Sequence, residues 1–205
     1  MVACCILTAV LAYFIGSISF SVIFTKKIAG FDVREKGSKN AGSTNVLRTA
    51  GKKVALLTLV CDILKGVVAI LLAKLIGYID HFEHIEYLIQ IAGIAVVLGH
   101  TFPIFFGFKG GKGVATSLGI ILLINWQIGL ICLVFALVLI ILSRMVSLGS
   151  VSAAILFPVL TLFITDNYLV PGDYRIFGIL LGIFVCFNHR SNIKRLLKGE
   201  ENKIF

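Results

Sequence analysis

Residues 99–117 hold the densest chemistry in the chain: Gly-His-Thr-Phe-Pro-Ile-Phe-Phe-Gly-Phe-Lys-Gly-Gly-Lys-Gly-Val-Ala-Thr-Ser. Glycines 107, 110, 111 and 113 fall within seven residues, with Lys109 and Lys112 among them. Glycine lets successive backbone N–H groups turn into one concavity, an anion nest, and the lysines add positive charge. An apolar run starts at Val114. The nest therefore opens a helix whose N-terminus also favours an anion. The chemistry is phosphate binding by Gly110, Gly111, Gly113 and Lys112; the alternative is a plain hinge between two apolar segments. It is not the nucleotide P-loop, which needs Gly at 106 and Ser or Thr at 113, where Phe106 and Gly113 stand. The dinucleotide fingerprint fails at Thr116.

A second group lies at 37–51, Gly-Ser-Lys-Asn-Ala-Gly-Ser-Thr-Asn-Val-Leu-Arg-Thr-Ala-Gly. Gly37 and Gly42 permit a tight cradle, Ser38, Ser43 and Thr44 offer hydroxyls, and Asn40 and Asn45 offer amides. Arg48 offers a bidentate fork for phosphate. A helix starting near Asn45 would put the cradle at its N-terminus; the alternative is a solvated loop with ordinary caps. Asp62 and Lys65 are three apart on one helical face, about 12 Å into an apolar run at about 1.5 Å per residue. Bare charges there must pair or line a cavity. Ser147 and Ser150 stand at the start of another apolar run, where capping also accounts for either. His189 and Asn192 share a helix face ahead of a basic tail. That tail also suits anionic lipid, which explains its lysines better than the His/Asn pair.

The elements that position these groups cross a membrane. The chain has 205 residues, 14% of them charged, and a mean hydropathy of +1.03. Its long uncharged runs require a bilayer. No hydrophilic block is long enough to fold alone, so one transmembrane domain over 1–205 is expected. No Lys or Arg precedes the first apolar run, unlike a secretory signal. Cysteines 4, 5, 61, 132 and 186 lie in apolar runs without metal-ligand spacing and read as packing residues. His81-Phe82-Glu83-His84 reads as a solvated outer loop, and neither metal nor cofactor is expected.

Spans are expected at 3–24, 54–78, 85–98, 151–165 and 175–188. Pro103 bends or ends the third. The run 114–142 is either one long tilted helix or two helices, 114–124 and 128–142, broken at Asn125-Trp126-Gln127. The polar triplet and the charge balance favour two, giving about seven crossings. The formal charge of +9 follows orientation, not nucleic acid. Segments 25–53, 99–113, 143–150 and 189–205 carry sixteen Lys and Arg, against Arg175 alone on the opposite side. That asymmetry puts the N-terminus outside, the C-terminus in the cytoplasm and every polar group above on the cytoplasmic face.

Together these motifs resemble the bacterial membrane-embedded acyl-phosphate:glycerol-3-phosphate acyltransferase family. The matching pieces are Gly-Ser-x-Asn-x-Gly-Ser-Thr-Asn-x-x-Arg (37–48), Asp-x-x-Lys-Gly (62–66) and Gly-His-x-x-Pro (99–103). Phe-x-Gly-Gly-Lys-Gly-Val-Ala-Thr (108–116), Val-Ser-Leu-x-Ser (146–150), His-Arg-x-Asn-Ile (189–193) and Arg-Leu-Leu-x-Gly-x-Glu (195–201) complete the set. The likeness runs end to end. It implies an all-α, multi-pass protein of the bacterial cytoplasmic membrane, and transfer of a fatty acyl group from acyl phosphate to the 1-hydroxyl of sn-glycerol 3-phosphate. The products would be lysophosphatidic acid and phosphate. It implies membrane lipid as surroundings and a soluble enzyme that forms the acyl phosphate.

By the same resemblance Gly37, Ser38, Asn40, Gly42, Thr44 and Asn45 cradle the acyl phosphate, and Arg48, Lys112, Ser150, His189 and Asn192 hold glycerol 3-phosphate. Ser38, Lys112, His189 and Asn192 would carry the catalysis, and Glu201 would fix the tail by pairing with a basic residue. The His-x-x-x-x-Asp signature of soluble glycerolipid acyltransferases is absent. A transporter of a phosphorylated metabolite, or a scaffold on anionic lipid, is the rival reading.

Overall fold

The computed structural model describes residues 2–163 and 174–204. Among them every regular element is helical. In chain order these are α1 (Val2–Gly16), α2 (Phe20–Phe24), α3 (Ser43–Ala50), α4 (Lys52–Ile79) and α5 (Ile85–Thr101), then α6 (Val114–Ile124), α7 (Trp126–Ser143), α8 (Val146–Phe163), α9 (Arg175–Asn188) and α10 (Arg190–Leu197). A π-turn (Thr25–Ala29) and short 3-10 turns (Val33–Glu35, Ile104–Phe106) join some of them. The stretches Val2–Ala29, Lys52–Ile79, Ile85–Phe106, Trp126–Ser143 and Val146–Phe163 are long and apolar enough to cross a bilayer. α9 and α10, bent by 67°, make a sixth candidate if taken as one, and α6 is a shorter apolar helix of 11 residues.

The chain divides into two compact units, Met1–Ile120 and Ile121–Phe205. In the first, α4 shows how a membrane helix sorts its faces. Leu56, Leu57, Leu64, Val68, Leu71 and Leu75 point outward, while Thr58, Asp62, Lys65, Gly66, Ala69 and Ala73 are buried. Lipid is as apolar as leucine, so small and polar residues take the helix contacts. α1 meets α5 backbone to backbone: a Cβ at Gly16 would strike the Val96 carbonyl, and one at Gly99 the Tyr13 carbonyl. Val22, Val33, Ala41, Val46, Val54 and Ala55 form a small core beneath the 37–51 loop, joined by Phe24, Leu47 and Phe106.

In the second unit α7, α8 and α9 pack in series, and α10 packs against α8 and α9. Phe157 meets Phe177 edge-on at 6.4 Å, and Ile204 N–H reaches the Arg144 carbonyl at 2.9 Å, tying the tail to the α7–α8 turn.

The structure refines the expected boundaries. The run 114–142 is two helices, broken where Asn125 Oδ1 accepts from Ile128 N–H at 2.9 Å, an N-cap. The helix ahead of Pro103 ends at Thr101. The first span, expected over 3–24, is not continuous: α1 stops at Gly16 and α2 starts at Phe20, with Ser17, Ile18 and Ser19 between them. The outer segment 165–175 and the end of the 151–165 span lie outside the described residues, except for residues 174 and 175.

Candidate active site

In the first unit the 37–51 loop is built around one side chain. Asn45, in the first turn of α3, is 1% exposed. Its Oδ1 accepts from Ser38 N–H at 2.9 Å, and its Nδ2 donates to the carbonyls of Val33 (3.0 Å), Lys36 (3.0 Å) and Asn40 (3.1 Å). Asn45 therefore shapes the cradle from beneath, its whole amide engaged with the loop backbone. A Cβ at Gly37 would strike Asn45 Oδ1, which explains the glycine there. Ser38, Lys39 and Arg48 are exposed, while Asn40, Gly42 and Thr44 are half-buried around them.

The glycine-lysine loop folds back onto the end of α5. Gly110 N–H donates to the Thr101 carbonyl and Gly111 N–H to the His100 carbonyl, both at 3.1 Å. These are carbonyls that a helix C-terminus leaves without partners. The nest expected from sequence is thus partly spent: the amides of Gly110 and Gly111 cap α5. Cationic chemistry at the loop falls to Lys112, half-buried between two buried glycines, and to Lys109, which is exposed. Gly113, at φ +89°, turns the chain into α6.

The two loops meet. Ala41 N–H donates to the Gly110 carbonyl at 3.3 Å, and the Ala41 carbonyl accepts from Ser21 Oγ at 3.0 Å. A clamp that the sequence reading missed holds them from the side. Asp32 accepts from Arg34 Nε at 3.0 Å and Nη2 at 2.8 Å, and faces Lys26 Nζ at 3.2 Å. Arg34 Nη1 donates to the Phe106 carbonyl. The Arg34 guanidinium holds the Asp32 carboxyl well below the ordinary carboxylate range, and Asp32 in turn raises Arg34. The usable signal was the Asp32-x-Arg34 spacing, which suits a side chain bonding the backbone two residues on.

Deeper in the same unit, Asp62 and Lys65 form the expected ion pair at 2.8 Å, both buried. His100 Nδ1 approaches Asp62 Oδ1 at 3.5 Å, and Lys65 Nζ donates to the Ile18 carbonyl at 3.0 Å.

In the second unit Ser147 and Ser150 lie buried on the first turns of α8, and among the described residues no partner reaches Ser147 Oγ. Neither caps the helix; Ser143 Oγ takes the Met145 N–H at 3.1 Å. His189 sits at the bend between α9 and α10, with Nδ1 2.8 Å from the Val185 carbonyl. A carbonyl only accepts, so Nδ1 carries the proton and a neutral ring has its lone pair on Nε2. Asn192 Nδ2 donates to Glu201 Oε1 at 2.9 Å, and Arg195 Nε donates to Glu201 Oε2 at 3.0 Å. The buried Glu201 thus fixes the tail through a basic residue, as expected, and orients Asn192 as well.

Helices with lipid-suited faces, long and apolar enough to cross a bilayer, define an integral membrane protein. The family model described as glycerol-3-phosphate acyltransferase matches residues 6–199, and the chain belongs to that family. It is 43% identical over 200 residues to a glycerol-3-phosphate acyltransferase of Thermoanaerobacter sp. (strain X514), covering 97% of this chain and 95% of the relative. It is 44% identical over 209 residues to one of Clostridioides difficile (strain 630), with the same coverage. Among solved structures it is similar to PlsY (YgiH), an integral membrane glycerol 3-phosphate acyltransferase, in its glycerol 3-phosphate form. The TM-score is 0.85 at 35% identity, over 97% of this chain and 94% of that one. The lysophosphatidic acid form of PlsY matches at 0.80 and 34%, with the same coverage.

Proposed function

We propose that the chain, acting as one transmembrane domain in the bacterial cytoplasmic membrane, transfers a fatty acyl group from acyl phosphate to the 1-hydroxyl of sn-glycerol 3-phosphate. Lysophosphatidic acid and phosphate are released, in the first acylation of phospholipid synthesis. The observation that carries the reading is the hydrogen bond from Ala41 to Gly110. It joins the hydroxyl-amide cradle to the lysine-bearing loop, as a protein handling two phosphates needs. The end-to-end family match supports the acceptor.

An acyl phosphate is a mixed anhydride with a good leaving group, so no nucleophilic side chain is required. The protein must bring two anions together, orient a hydroxyl and stabilise the oxyanion that develops. Gly37, Ser38, Asn40, Gly42 and Thr44 receive the acyl phosphate on the frame that Asn45 holds. Arg48 and Lys112, with Ser150, His189 and Asn192, receive glycerol 3-phosphate. The attacking hydroxyl forms the ester bond as the acyl–phosphate bond breaks. Its proton passes to a substrate phosphate oxygen, with His189 orienting the hydroxyl. The positive-inside asymmetry supports a cytoplasmic site with the N-terminus outside, about seven crossings, and a soluble enzyme delivering the donor.

The test is phosphate release by purified protein in detergent, with acyl phosphate, acyl-CoA and acyl carrier protein compared as donors. Release with acyl phosphate alone is expected. Equal or better use of a thioester donor overturns the donor assignment, and no turnover with any of the three overturns the reaction.

A further inference from the structure

We propose that Asp62, Lys65 and His100 form a positioning triad that sets the backbone of the 110–113 loop for phosphate. The proposal rests on reading that loop as a phosphate site. A buried ion pair could simply hold α4 in place, and the contacts of this one reach further. Lys65 Nζ donates to the Ile18 carbonyl, in the gap between α1 and α2. Asp62 faces the ring of His100, near the end of α5 and 7% exposed. The opposite edge of that ring, Nε2, fills the space that a Cβ at Gly111 would need. The His100 and Thr101 carbonyls accept from Gly111 and Gly110. His100 is thus steered on one edge by the carboxylate and bears on the glycine loop with the other. Its own carbonyl holds Gly111, the residue its ring also bears on, and the next carbonyl, of Thr101, holds Gly110.

The energetics favour a role beyond cohesion. Burying two ions costs several kcal/mol each before pairing, and well-packed apolar residues often do as well or better for stability. A loop that must present Lys112 at a set place has a use for a stiff, charged support. A displacement of about 1 Å in a positioning element can cost about a hundredfold.

The test uses the full chain in detergent. It measures kcat and KM for glycerol 3-phosphate, the affinity for inorganic phosphate, and the melting temperature. His100→Leu removes the link, while His100→Asn keeps an N–H where Nδ1 lies. We expect His100→Leu to raise KM and weaken phosphate binding by about tenfold or more, kcat staying within about threefold, and His100→Asn to recover most of the loss. Should His100→Leu fail to fold, the double variant Asp62→Asn/Lys65→Met removes the ionic pair at similar volume and should show the same rise. A folded variant whose KM and phosphate affinity stay within about twofold of wild type, whatever its melting temperature, overturns the triad. Wild-type protein that binds phosphate without transferring acyl groups refutes the proposed reaction and leaves the phosphate arm to decide the triad. Wild-type protein that binds no phosphate overturns the triad directly.

Discussion

Asn45 offers a prediction whose sign separates an internal frame from a ligand contact. Its Nδ2 has two protons for three carbonyls, and its Oδ1 takes one N–H. Asn45→Ala removes about three hydrogen bonds from a buried site, at about 1 kcal/mol each, or about 3 kcal/mol of loop stability. At about 1.4 kcal/mol per tenfold, turnover can fall by up to about a hundredfold where the formed cradle is required. Asn45→Asp is nearly isosteric and keeps the acceptor for Ser38. It also sets a second oxygen against the Val33, Lys36 and Asn40 carbonyls and buries a charge. It is therefore expected to be worse than alanine, although an exposed anion contact would rank a carboxylate and an amide differently only in the bound state. The assay pairs turnover with the rate at which protease nicks residues 36–42 of substrate-free protein. Asn45→Asp nicked no faster than wild type, or an alanine variant with unchanged turnover and nicking, would refute the frame.

Lys39 lies at φ +59°, a conformation that costs a side-chain-bearing residue about 1–2 kcal/mol. Lys39→Gly should stabilise the substrate-free loop by up to about 1 kcal/mol after the entropic cost of glycine, read as slower proteolysis. Asp32 gives a pH dependence of fixed sign. Its folded carboxyl lies below the ordinary 3.8, so its stabilisation is complete above that value and is lost only as pH falls below it. Protection of the 31–36 and 106–109 segments should be flat from neutral pH down to about pH 5 and fall beneath the carboxylate range. Asp32→Asn should be less protected at neutral pH and lack that fall.

Much of this architecture was legible because hydrocarbon imposes long apolar runs and taxes every exception. The exceptions marked real features: the Asn125 cap, the Asp62–Lys65 pair, the turn after Thr101, and the Asn192, Arg195 and Glu201 cluster. What stayed hidden depends on partners far away in sequence. A stretch with Ser17, Ser19 and Ser21 looks the same whether it packs a continuous helix or relieves a broken one. The deciding contact, Lys65 to Ile18, spans 47 positions. Likewise glycine spacing shows that amides can turn into a concavity, but not that α5 ends where its last carbonyls claim two of them. Asn45 was legible as a polar residue in a cradle; its inward direction follows from where Val33 and Lys36 run, which is tertiary.

The breaks themselves argue for where function lies. In hydrocarbon an interrupted helix leaves backbone groups that water cannot satisfy, so each break must be mended by protein. Asn125 mends the α6–α7 break with its own side chain, a local solution that asks nothing of the rest of the molecule. The gap after Gly16 is treated differently. Its Ile18 carbonyl is met by a buried lysine from another helix, which needs a buried aspartate, which in turn faces the histidine beneath the glycine loop. Ser17 and Ser19 flank that carbonyl in the gap, yet it is a buried cation that meets it. The costlier arrangement is the one that reaches the loop carrying Lys112, and loop placement is what local mending cannot supply.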